Sequence, residues 1–130
     1  MRHLDTNIII AYLNGNQKVA ERLKAHLPEI AVSSLVLAEL RYGARASARA
    51  SENLQRLEQF LQIVSVVDFD QASADSYSHL RLDLRCKGRP TGEMDLLIAS
   101  VAVAHQAILV THNTKHFSQI EGLAVEDWLE

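Results

Sequence analysis

Four short apolar runs, His3-Leu4, Ile30 to Val32, Ile63 to Val67 and Ala107 to Val110, are rich in β-branched residues and separated by longer stretches with helical spacing. Strands that alternate with helices in this way predict a parallel sheet. The segment from Ser34 to about Ala48 carries Leu35, Ala38 and Tyr42 near one face, and Ser33 or Ser34 supplies its N-cap. Glu52 to Leu61 repeats the pattern through Leu54, Leu57, Phe60 and Leu61, and Asp70 caps a long third helix containing Ala74, Tyr77 and Leu80. Gly88, Pro90 and Gly92 then break the chain before Met94 to His105, which reads as a mostly apolar and largely buried helix. A last strand includes Ala124 to Glu126. The expected fold class is therefore α/β, with a central, mostly parallel sheet of four or five strands flanked by helices.

Composition narrows this picture. The chain has 130 residues, 48% of them hydrophobic, and no linker-like stretch, so residues 1–130 are expected to form a single domain with a sizeable core. A single cysteine, Cys86, excludes an internal disulfide and fits a reducing, cytoplasmic setting. The opening MRHLDTN places Asp5 where a signal peptide needs its apolar core. The longest apolar run, Leu96 to Ala104, falls short of the roughly 20 residues of a membrane span, so no membrane association is expected. The net charge of −3 gives the molecule no overall attraction for nucleic acid; such binding has to come from a local patch or from a metal.

Candidate chemistry enters with three carboxylates. Asp5, Glu39 and Asp95 each stand alone in an otherwise apolar stretch, within HLDTNIII, SSLVLAEL and GEMDLLIAS. A carboxylate taken out of water without a partner costs several kcal/mol or forces itself neutral, so three such placements point to a cation where they meet. On the expected frame Asp5 lies at the carboxyl end of the first strand and Glu39 on the first turns of the helix after Ser34. Asp95 lies near the start of the Met94 helix, and Asn113 lies just past the strand that ends at Val110. Ligands in open α/β sheets bind beyond the carboxyl ends of the strands, where these positions converge. Oxygen donors without a Cys or His cluster favour Mg²⁺ or Mn²⁺ over zinc. The implied chemistry is metal-assisted hydrolysis of a phosphodiester.

In order and spacing, LDTNI, LAEL, GEMDLLIAS and LVTHNTKHF resemble the motifs of PIN-domain ribonucleases, and most closely those of VapC toxins from prokaryotic toxin–antitoxin pairs. The resemblance runs from Leu4 to about Phe117. It implies a three-layer α/β/α PIN-like fold and a Mg²⁺-dependent endoribonuclease, with Mn²⁺ as a substitute ion. It also implies a structured RNA substrate such as tRNA or rRNA, a small VapB-type antitoxin partner and a homodimer. Matched residue by residue, Asp5, Glu39 and Asp95 take the places of the family's first three metal acids, and Thr6 and Thr111 those of small hydroxyls near the metal. Asn113 completes the candidate catalytic set but departs from the acid that many members carry there, offering only a weaker carbonyl ligand. Glu93 ranks below the other acids, as a first-turn residue favoured by the helix dipole after a Thr91 cap.

Each feature also has a plainer reading. Asp5 serves equally as the cap of a helix starting at Asn7, and Glu39 as a solvated helix position. Arg41, Arg45 and Arg49 recur four residues apart, suited either to an RNA backbone or to a solvated face, with Arg49 assigned to Glu52. Arg81, Arg85, Lys87, Arg89 and Lys115 are further phosphate candidates. His112 and His116 read as surface residues, since no third zinc ligand is near, and Cys86 has no histidine arrangement that would make it a nucleophile. Ile8, Ile9, Ile10, Tyr12 and Leu13, like Leu35, Val36, Leu37, Leu40 and Tyr42, exceed one helix face and suggest an interface as well as a core. Two alternatives stand beside the nuclease: a metal-dependent phosphatase or phosphoryl-accepting domain, against which Asn7 counts because such enzymes place an acid there, and a catalytically inactive PIN-like binding module, favoured only by Asn113.

Overall fold

A computed structural model describes residues 1–89 and 91–130. Pro90, one of the three expected chain breakers, lies outside the described residues. Five strands form one parallel sheet: β1 (Arg2–Leu4), β2 (Ile30–Ser33), β3 (Ser65–Val67), β4 (Ile108–Val110) and β5 (Ala124–Glu126), in the spatial order β3-β2-β1-β4-β5. Among the described residues seven helices flank the sheet in a three-layer α/β/α arrangement: α1 (Thr6–Leu13), α2 (Gln17–His26), α3 (Ser34–Ala46), α4 (Ala50–Leu61), α5 (Gln71–Lys87), α6 (Glu93–Ala104) and α7 (Thr114–Phe117). None of these helices is long and apolar enough to cross a membrane.

The strand order explains where the ligands can go. The chain winds outward from β1 through β2 to β3, then returns to the other side of β1 for β4 and β5. The winding direction therefore reverses between β1 and β4, and the carboxyl ends of those two strands are where a sheet of this kind takes its ligands. Every residue of β2 is buried, as are Leu4, Leu109 and Val110, as expected of parallel strands covered on both faces, while Val66 on the edge strand β3 is exposed. α6 buries Leu96, Ile98, Ala99, Val101 and Ala102 and packs along α5, which accounts for its almost uniformly apolar sequence.

Several boundaries differ from expectation for identifiable reasons. α3 stops at Ala46, where Ser47 returns its Oγ to the Ala44 carbonyl at 2.6 Å and receives Asn53 Nδ2 at 2.9 Å. Arg49 is consequently the N-cap residue of α4, with no place on the face of Arg41 and Arg45, and it pairs with Glu52 at 3.7 Å. Ile63 and Val64 precede β3, because the Ile63 N–H still donates to Phe60 as α4 unwinds. α6 begins one residue early, capped by Gly92 in place of Thr91. α2 has no counterpart among the expected elements: it buries Val19 and Leu23 within an otherwise mostly polar sequence, QKVAERLKAH, and is started by Asn16, whose Oδ1 accepts from Val19 N at 3.0 Å. The apolar surplus divides: Ile8 and Ile9 enter the core, whereas Ile10 and Tyr42 are 46% and 75% exposed.

Candidate active site at the carboxyl ends of β1 and β4

Asp5 follows β1 directly and is the N-cap of α1, so the capping and the functional readings describe the same side chain. Its Oδ1 accepts from Thr6 N at 2.8 Å, and its Oδ2 accepts from Thr111 Oγ1 at 2.8 Å. Thr111 follows β4, is fully buried, and also accepts from Asn113 N at 3.1 Å and Asn7 Nδ2 at 3.4 Å. Asn7 Oδ1 in turn accepts from His112 N at 3.1 Å. The DTN sequence is thus a bracket that ties the β1–α1 turn to the loop after β4, and it locks one rotamer of Asp5. Because Asn7 is committed to this bracket, it does no work as the second acid of a phosphatase.

Thr6 extends the network to α3. Its Oγ1 donates to Glu39 Oε1 at 2.7 Å, so Glu39, one turn and a half into α3, is half-buried beside the β1–α1 turn. Asp95 approaches from the first turn of α6, and its Oδ2 lies 3.8 Å from where a Cβ on Gly92 would sit. Burial pushes the Asp5 carboxyl above its usual range. The Thr111 and Thr6 hydrogen bonds oppose that shift, and the negative charges of Asp95 and Glu39 add to it. The charges of Glu39 on α3 and Asp95 on α6 thus both bear on the buried Asp5 carboxyl, an arrangement to which a cation could bind.

The fourth corner is different. Asn113 contributes its backbone N–H to Thr111, and its side chain makes no cap to α7. His116 is a surface residue, as read from the sequence, and it places Nδ1 3.4 Å from Asp95 Oδ2. His112 turns away to Asp127 Oδ2 at 3.0 Å, so the two histidines do not share an ion. Glu93 is directed to α5, where it accepts from the Tyr77 hydroxyl, itself bonded to Arg81 Nη1 at 3.0 Å. Sequence reasoning named Asn7 and His116 but gave neither a place in the site; the Asn of DTN was available as a signal, whereas only the return of α7 toward α6 brings His116 to Asp95.

Among the described residues no three His, Cys, Asp or Glu side chains close tightly enough to encage an ion by themselves. The donors that do converge are oxygens, with one imidazole nearby, so the residues fit a hard divalent ion.

A family model described as PIN domain matches residues 3–123. The chain is 39% identical over 126 residues to the tRNA(fMet)-specific endonuclease VapC of Shigella flexneri, covering 96% of each. It is 41% identical over 128 residues to ribonuclease VapC2 of Rickettsia felis, again covering 96% of each. The crystal structure of VapBC2 from Rickettsia felis, bound to a DNA fragment from its promoter, superposes with a TM-score of 0.93 at 38% identity and covers 98% of both chains.

Proposed function

Given that the chain belongs to the PIN-domain family and aligns along nearly its whole length with VapC ribonucleases, we propose that it is a metal-dependent endoribonuclease, the toxin of a toxin–antitoxin pair. The observation that carries this reading is the buried Asp5 carboxylate, fixed by Thr6 and Thr111 and pressed by the charges of Glu39 and Asp95. Asp5 and Asp95 would hold the ion directly, and Glu39, anchored to Thr6, through water. When bound, the ion supplies Lewis-acid polarisation of the scissile phosphate and charge for the leaving oxygen. The chain's own contribution is positional. The Thr6 and Thr111 hydrogen bonds hold Asp5 in one orientation and favour its ionised form, and Asn7 fixes the loop that carries Asn113. Mg²⁺ is the ion assigned here, with Mn²⁺ as a substitute, because the donor set is dominated by oxygen.

The substrate assigned is structured RNA, tRNA or rRNA. Arg81, Arg85 and Arg89 border a groove that runs to Glu93 at the start of α6, which supports contact with phosphates on this side of the molecule. The protein partners assigned are a VapB-type antitoxin and a second copy of the chain. An apolar groove beside Glu39, lined by Ile10, Leu13, Leu40, Gly43, Ala44 and Leu57, supports contact with an apolar antitoxin segment close to the acids.

The test is incubation of pure protein with total RNA in Mg²⁺ or in EDTA. Cleavage is expected with Mg²⁺, is abolished by EDTA, and falls at least about 100-fold in Asp5→Asn, the scale on which removing charge from a catalytic ion's binding set acts. RNA left intact by the wild type under every divalent ion would sink the proposal and favour the inactive binding module.

A further inference from the structure

His116 is 61% exposed on the short helix α7, so packing does not force its ring toward Asp95, yet Nδ1 lies 3.4 Å from Asp95 Oδ2. The segment from Thr111 to Phe117 contains no carboxylate, and Asn113 directs only its N–H into the network. The imidazole is therefore the one strong donor that this segment brings to the acids. Adjacent ligand atoms on a six-coordinate ion with bonds of roughly 2.1 Å are about 3 Å apart, close to the spacing of this nitrogen and oxygen. An imidazole nitrogen suits Mn²⁺ and later transition ions far better than Mg²⁺, which takes oxygen.

Resting on the metal-site reading above, the geometry points to His116 as a nitrogen ligand beside Asp95, one that strengthens Mn²⁺ binding more than Mg²⁺ binding. The rival account is an ion pair between His116 and Asp95 on the surface, in which the ring leaves when an ion arrives.

Mn²⁺ alone is the probe. Pulsed EPR of the wild-type protein loaded with Mn²⁺ is expected to show ¹⁴N modulation from a directly bound imidazole, lost in His116→Ala and kept in His112→Ala, whose ring faces Asp127. In competition titrations the His116→Ala variant is expected to lose about tenfold in Mn²⁺ affinity and less than about twofold in Mg²⁺ affinity. Mn²⁺ bound without nitrogen coupling, or coupling that survives in His116→Ala, overturns the inference and leaves the carboxylate site standing. Failure of the wild type to bind Mn²⁺ at all overturns both.

Discussion

His3 lies in the middle of β1, 3% exposed, with both ring nitrogens unpartnered and its ring edge-on to His105 at 5.6 Å between centroids. Burial, with smaller contributions from His105 and the chain's amino terminus, lowers its pKa from 6.5 to about 4. The ring is thus neutral in the native protein at pH 7. In the unfolded chain it takes up a proton as pH falls below its ordinary value, whereas the folded form resists until about pH 4. Stability is therefore complete above pH 6.5 and drains away toward pH 4, by up to about 3 kcal/mol. Replacing His3 with Leu removes both the orphaned nitrogens and this proton uptake. Thermal melts of wild type and His3→Leu at pH 7 and pH 5 check this: the wild type should lose more stability on acidification, and equal losses would show that His3 is not the group responsible.

Among elements, α3 links the sheet to the site, because it starts on the buried end of β2 and carries Glu39. Ser33 makes the turn, its Oγ accepting from Val36 N at 3.2 Å. A buried cap of this kind contributes about 1 kcal/mol, so Ser33→Ala should lower the unfolding free energy by that much, read as a urea midpoint lower by roughly 0.3–1 M at unchanged slope, and an unchanged midpoint would mean that the cap contributes nothing to stability. Ser33 was one of two caps open in the sequence, and Asp70, whose Oδ1 accepts from Ser73 N at 2.9 Å, was read directly. Such elements were legible because capping and periodicity are local. The last strand, Ala124–Glu126, was legible for the same reason. α2 was not, since its sequence QKVAERLKAH is mostly polar and reads as a solvated stretch, and the end of α3 at Ala46 depends on Ser47 and Asn53, six residues apart. The site divides along the same line. Asp5, Glu39 and Asp95 stood out as charges in apolar sequence, whereas the Asp95–His116 approach joins residues 21 positions apart on different helices and has no local trace.

For the whole molecule, the site sets function against stability. Folding brings Asp5 out of water and toward two other carboxylates, and its raised pKa records that the folded state disfavours its charge. The Thr111 and Thr6 hydrogen bonds offset this only in part. Without an ion, Asp5→Asn relieves the burial and the repulsion, and Asn still caps α1 well. The variant should then be more stable than the wild type in EDTA, with a higher Tm. A divalent ion that binds only the folded state reverses the order, because it stabilises the wild type by mass action and finds a depleted site in the variant. Differential scanning calorimetry of both proteins in EDTA and in millimolar Mg²⁺ decides the matter. A crossing of the two Tm values is expected, and an Asp5→Asn protein less stable than the wild type in EDTA would show that the Asp5 carboxylate is a net structural asset with no need of a cation.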